Sequence, residues 1–187
     1  MTALMERQGF LTRGKVVRFR ASHIAEARRS GLAIATMDEL LRFGVDPYSV
    51  TEFEGNLEVN GGLNAMLTLL IGGGGTTYAH ANARLCVGDG NGTVPTAAAT
   101  DTTLAATTNR YNQACDTSYP SVAAAVLTAQ STFPTGQGNY VWNEWGMDNG
   151  GSSGSGAASG LFNHRGVNLG TKTSASAWAL QITITQS

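Results

Sequence analysis

Nine residues, Asn139-Tyr-Val-Trp-Asn-Glu-Trp-Gly-Met147, constrain this chain more than any other stretch. Tyr140, Val141, Trp142 and Trp145 fall here in a protein otherwise rich in Ala, Gly, Thr and Ser. Aromatic side chains bury the most surface per residue, so a small-residue chain must build its core around them. Turn formers bound the run: Pro134-Thr-Gly-Gln-Gly138 precedes it and a Gly/Ser tract follows. A short β-branched and aromatic run between turn signals predicts a strand, here a central one.

The remaining strand signals agree with that reading. Val50–Val59 alternates Phe53, Leu57 and Val59 with Glu52, Glu54, Asn56 and Glu58, the pattern of a half-buried strand with one acidic face. Ala81–Val87 places Ala83, Leu85 and Val87 on one side and Arg84 and Cys86 on the other. Ala123–Phe133 predicts a strand that hairpins through Pro134–Gly138 into the central one, and Leu161–Arg165 begins another. At the end, Trp178, Leu180, Ile182 and Ile184 alternate with Ala179, Gln181, Thr183 and Thr185.

Helical signals are fewer. Ser22 predicts the N-cap of a short helix over His23–Ser30, stopped by Gly31. Thr36-Met-Asp-Glu39 is a capping box opening a helix with Met37, Leu40, Leu41 and Phe43, and Gly44 closes it. Leu63, Met66, Leu67, Leu70 and Ile71 recur at helical spacing, the stripe of a core-packed helix. Phe53, Leu57, Leu67, Leu85, Phe133, Trp142, Leu180 and Ile182 are the expected core.

Charge divides the chain unevenly. Residues 1–35 carry seven basic residues against Glu6 and Glu26, a net +5, while the rest carries −6. Gly14–Arg20 predicts an edge strand guarded by its charges. The segment has too few apolar residues for a core of its own and must fold against something. The expected contact is with the acidic face of the same or a neighbouring subunit: Arg7, Arg13, Lys15, Arg18, Arg20, Arg28 and Arg29, with Phe10 and Phe19, against Glu52, Glu54 and Glu58. That contact satisfies both charges without nucleic acid, so residues 1–20 are expected to be removable from a body that stays folded. Two units follow, an arm over 1–47 and a body over 48–187.

Chemistry-bearing motifs are thin. Glu144 between two tryptophans is a candidate carboxylate, but an acid–base role needs a second titratable partner and none is adjacent. A solvent-facing residue, or one paired with Arg165, is the expectation. Gly72–Gly75 follows a helix and has no Lys nearby, unlike a phosphate loop. Gly88–Thr93 lacks the Gly and Glu of a calcium loop and predicts a β-turn. Gly150-Gly-Ser-Ser-Gly154 fits G-x-S-x-G inside a low-complexity loop, without the strand–turn–helix a nucleophile elbow needs. His23, His80 and His164 are far apart and lack metal-ligand spacing. Cys86 and Cys115 are expected to be free thiols, no run of about 18 apolar residues suggests a membrane span, and no cofactor or metal is implied.

Over roughly Thr51–Ser187 the chain resembles a family of tailed-bacteriophage virion structural proteins. The resemblance rests on Phe53-Glu-Gly-Asn-Leu57, Ala81-Asn-Ala-Arg-Leu-Cys-Val-Gly-Asp89, Thr132-Phe133, Asn139–Trp145, Asn163-His-Arg165 and Leu169-Gly-Thr-Lys172 with the closing strand. It implies a β-sandwich building block and no catalytic residues. The expected fold is mainly β: an antiparallel β-sandwich, jelly-roll-like, with one packed helix and an N-terminal basic arm with short helices. The expected function is a non-enzymatic capsid decoration or cement protein, assembled in the host cytoplasm into the virion. Its expected partners are the major capsid protein or neck and tail subunits and copies of itself, without membrane or nucleic acid. A neck, tail or baseplate component, or a carbohydrate-binding module of a tail fibre, is the alternative.

Overall fold

The computed structural model describes residues 9–150 and 152–186, with backbone alone at Gln186. Among these residues ten strands form in chain order: β1 (Phe10–Arg20), β2 (Ser49–Glu54), β3 (Leu57–Glu58), β4 (Arg84–Gly88), β5 (Arg110–Ala114), β6 (Ser121–Ala123), β7 (Val126–Phe133), β8 (Val141–Asp148), β9 (Leu161–Thr171) and β10 (Ser176–Gln186). Three helices interrupt them: α1 (Ala21–Arg29), α2 (Met37–Arg42) and α3 (Asn60–Leu70). The strands make two antiparallel five-stranded sheets, β2-β1-β10-β7-β6 and β3-β9-β8-β4-β5, packed as a β-sandwich.

The aromatic run is the centre of the second sheet, as its composition predicts, for β8 is the middle strand and is buried almost throughout. Between the sheets lie Val16, Phe133, Leu180 and Ile182 from one side and Leu85, Val87, Trp145 and Met147 from the other. Phe133, Trp142 and Trp178 meet edge to face at 4.7 and 4.9 Å, contacts worth about 0.5–1.5 kcal/mol each beyond the area they bury. Phe53 joins them against Trp145 at 5.5 Å. Of the expected core, Phe53 and Leu57 are only partly buried and Leu67 lies half exposed.

Residues 10–20 are not part of an arm. β1 is an interior strand, hydrogen-bonded to β10 along its whole length and to β2 from Arg13 to Arg18. Val16 faces the other sheet, while Val17 and Phe19 turn outward and are also buried. They are covered by Ile24, Ala27, Met37 and Leu40 of α1 and α2, together with Ala177 and Ala179. Residues 10–45 therefore do fold against something: the outer face of their own sheet. Thr36 caps α2 by accepting from the Glu39 amide, and Gly44 follows with φ +83°, but Leu41 and Phe43 stay exposed.

Three further expectations are corrected. Pro134–Gly138 does not close a hairpin; it carries the chain from β7 in one sheet to β8 in the other. The acidic strand breaks at Gly55, whose φ of +85° turns the chain, so Glu52 and Glu54 lie in one sheet and Glu58 in the other. α3 rests on β9 through Gly62, where an added Cβ would meet the Phe162 backbone at 2.4 Å. Leu63, Met66 and Leu69 are partly buried while Leu67, Leu70 and Ile71 stay exposed, so one side of the apolar stripe is uncovered. β5 and β6 are short and poor in β-branched residues, so they carry no strand signal in the sequence.

The outer face of the second sheet is covered by loops. Val59, Cys86 and Leu161 pack there against Leu104 and Ala158, one from each of the long connections before β5 and before β9. Both cysteines are buried and unbonded. Burial raises both thiol pKa values, that of Cys115 to about 11.

Candidate functional site

Four of the charged residues singled out in the sequence meet on the first sheet. In the β1–β2 ladder Arg13 stands opposite Glu54 and Lys15 opposite Glu52. Arg13 Nε donates to Glu54 Oε1 at 3.0 Å across an exposed surface. With Gly14, Phe53, Gln181 and Thr183 these four line a cavity of about 300 Å³. Basic strand thus meets acidic strand within one subunit. Exposed pairs of this kind contribute about 0–1 kcal/mol, so the ladder tunes register rather than holding the sheet.

The other basic residues divide. Arg18 is buried: it stacks over Trp178 at 4.2 Å and donates to Leu169 O, Thr51 Oγ1 and Ser49 Oγ. Phe19 is core and Phe10 is partly buried against Phe162, so neither Phe19 nor Arg18 is offered to a partner. Arg20 lies over the Tyr48 ring, and Arg28 and Arg29 end α1, where cations suit the helix dipole. Arg7 lies outside the described residues.

An apolar surface stands at one end of the sandwich. Leu70 and Ile71 are 79% and 82% exposed, and Val122 on β6 is 72% exposed. Between α3 and β6 runs an apolar groove of about 300 Å³, floored by Phe10, Met147, Phe162 and Ile184. Isolated exposed apolar residues are ordinary, whereas an apolar groove with Met66, Leu69 and exposed Val122 on its walls is the signature of an interaction surface.

The third constellation is buried. Glu144 does not face solvent or pair with Arg165; it is fully buried on the outer face of β8. Oε1 accepts from the amides of Gly90 (3.2 Å) and Ala106 (2.7 Å), and Oε2 from Ala105 (2.8 Å) and His164 Nε2 (2.8 Å). His164 Nδ1 in turn lies 2.6 Å from Asp101 Oδ2. A neutral imidazole has one N–H, so donating to two carboxylates requires the imidazolium. Burial alone would lower the His164 pKa, but hydrogen bonds and charge from Glu144 and Asp101 outweigh it and the net shift is upward. The clamp fastens the 89–109 connection across the sheet at residues 90, 101, 105 and 106. Strand glycines mark the place: a Cβ on Gly88 would sit 2.5 Å from Glu144 Oε1, and glycine inside a strand signals such a close approach.

Other buried charges act the same way. Asp148 accepts from the amides of Gly150, Ser159 and Gly160, closing the Gly/Ser loop. Asp116 accepts from Thr132 and Gln130 and ties β7 to the segment after β5. Lys172 Nζ donates to Pro134 O and Asn139 Oδ1, pinning the crossover before β8, and burial lowers its pKa to about 8. Among the described residues no group of three or more His, Cys, Asp or Glu is arranged to hold a metal ion, and no helix is long and apolar enough to cross a membrane. Comparison with protein-family models, with curated proteins and with solved structures finds no match to this chain.

Proposed function

We propose that this chain is a non-enzymatic structural subunit of a tailed-phage particle, a decoration or cement protein that joins neighbouring subunits. The observation that carries the reading is the apolar groove between α3 and β6, lined by Met66, Leu69, Val122 and Phe162, with Leu70 and Ile71 exposed at the end of α3. Surfaces of this kind favour burial in an assembly. The family resemblance supplies the particle; the surface supplies the means of joining it. The strand order fits a jelly-roll-like sandwich in that the first and last strands are neighbours and the chain repeatedly crosses between sheets. The neck or tail alternative uses the same surface. The sugar-binding alternative loses its tryptophan platforms, because Trp142, Trp145 and Trp178 are all buried.

Mass spectrometry of capsid and tail fractions from particles of the encoding phage tests the proposal. Recovery with capsids supports the decoration role and recovery with tails supports the alternative. Absence from both, with the chain abundant in the lysate, overturns the structural reading.

A further inference from the structure

The apolar groove between α3 and β6 lies where the described chain begins. Phe10, the first residue of β1, is on its floor with Ile184. Residues 1–8 lie outside the described part of the chain and join it through Gly9, next to Phe10. Whatever they touch, they set out from beside this groove.

Groove and segment match in chemistry. None of the groove's lining residues is charged: Met66 and Leu69 stand on the α3 side, Val122 and Leu127 on the side of β6 and β7. Tyr78 brings the one polar side-chain group, a hydroxyl that already donates to Gly160 O at 3.0 Å. The segment is Met1-Thr-Ala-Leu-Met-Glu-Arg-Gln8, whose first five residues are uncharged and, apart from Thr2, apolar. Glu6, Arg7 and Gln8 come between that stretch and Gly9, where they meet solvent at the groove's rim.

We propose that residues 1–8 dock in this groove, with Leu4 and Met5 as the anchoring side chains, and cover it when no neighbouring subunit does. Methionine fills irregular apolar space and favours the edges of aromatic rings. Such rings are present: Phe162 meets Phe10 at 6.1 Å and Tyr78 at 5.4 Å, both edge to face. Counting back from Phe10, Met5 and Leu4 have an extended reach of roughly 17–20 Å. That length lets them fold back over a groove of about 300 Å³.

Tethering decides which copy supplies the occupant. A short linker presents its segment at a local concentration of about millimolar. The corresponding segment of a second copy must match that concentration to compete. Exposed Leu70 and Ile71 stand apart from the groove lining and stay available. A neighbouring subunit then gains the groove only by displacing residues 1–8. That regulatory consequence rests on the virion reading, whereas the docking does not, so recovery from particles and the test below fail separately.

The test is NMR of the full chain carrying ¹³C-methyl methionine, which labels Met1, Met5, Met37, Met66 and Met147. A nuclear Overhauser cross-peak between the Met5 and Met66 methyls is expected, unchanged on dilution. Leu4→Asp should abolish it and shift the Met66 resonance. Met37, buried under α1 and α2, should not respond and reports that the chain stays folded. A Met66 resonance indifferent to Leu4→Asp, with no Met5–Met66 cross-peak in the wild type, overturns the docking. In a mixture of labelled and unlabelled chains, a cross-peak confined to different copies assigns the occupant to a second copy and overturns the proposal as well.

Discussion

His164 donates from Nε2 to Glu144 across 2.8 Å, and both side chains are closed off from solvent. Removing one member of a buried charge pair leaves the other uncompensated, which costs about 3–5 kcal/mol. Glu144→Ala should therefore destabilise by that order in urea unfolding, and also free the amides of residues 90, 105 and 106. Asp101 is partly exposed, and water can replace it, so Asp101→Asn should cost less than Glu144→Ala. Equal costs would show that the clamp acts as one unit.

The same pair predicts a pH dependence. His164 has a folded pKa above its unfolded value of about 6.5. Its contribution is complete below that pH and is lost as pH rises through the folded value. Lys172 runs the other way: its folded pKa is lowered to about 8 from 10.5, so its burial is costliest below 8 and relieved as pH climbs toward 10.5. Melting temperatures of wild type minus His164→Gln should decline with rising pH. Those of wild type minus Lys172→Met should rise above pH 8.

β1 makes truncation informative. Deleting residues 1–20 removes a strand paired on both sides, with Val16, Val17 and Phe19 in the core. The remainder should fail to give a cooperative unfolding transition, contrary to the behaviour of a detachable arm. Milder variants keep the test quantitative: Phe19→Ala should cost about 3–5 kcal/mol and Leu180→Ala about 2–5 kcal/mol. A folded, soluble 21–187 fragment would contradict the interior placement of β1.

What was legible in the sequence is what local pattern determines. Period-two alternation located β10 and β4, and aromatic density placed β8 at the centre of its sheet. The Thr36–Glu39 box located α2. Sheet membership was not legible, because Pro134–Gly138 reads equally as a hairpin or as a crossover. Nor was the Glu144 clamp: residues 101, 144 and 164 are brought together only by tertiary structure, although glycines at 88, 146 and 166 around them hinted at a close approach. The apolar stripe of α3 predicts core because periodicity reveals a face and not what covers it.

The β6–β7 turn offers the last prediction. Ala124 and Ala125 both occupy the left-handed region, with φ of 49° and 62°, between strands paired from Ala123↔Val126 onward. Two consecutive positive-φ residues are the requirement of a two-residue hairpin turn that follows strand twist, for which Asn-Gly is favoured. An alanine Cβ crowds the backbone in that conformation, at a cost of roughly 1 kcal/mol per residue. The adjoining β6 residues are exposed, so replacement disturbs no packing there. Ala124→Asn with Ala125→Gly should raise stability by about 1 kcal/mol, the Gly gain being reduced by the greater freedom it gives the unfolded chain. Urea midpoints of the double variant and the wild type measure it, and the unfolding slope should not change. A lowered midpoint would mean that the turn does not hold these two residues in the left-handed region.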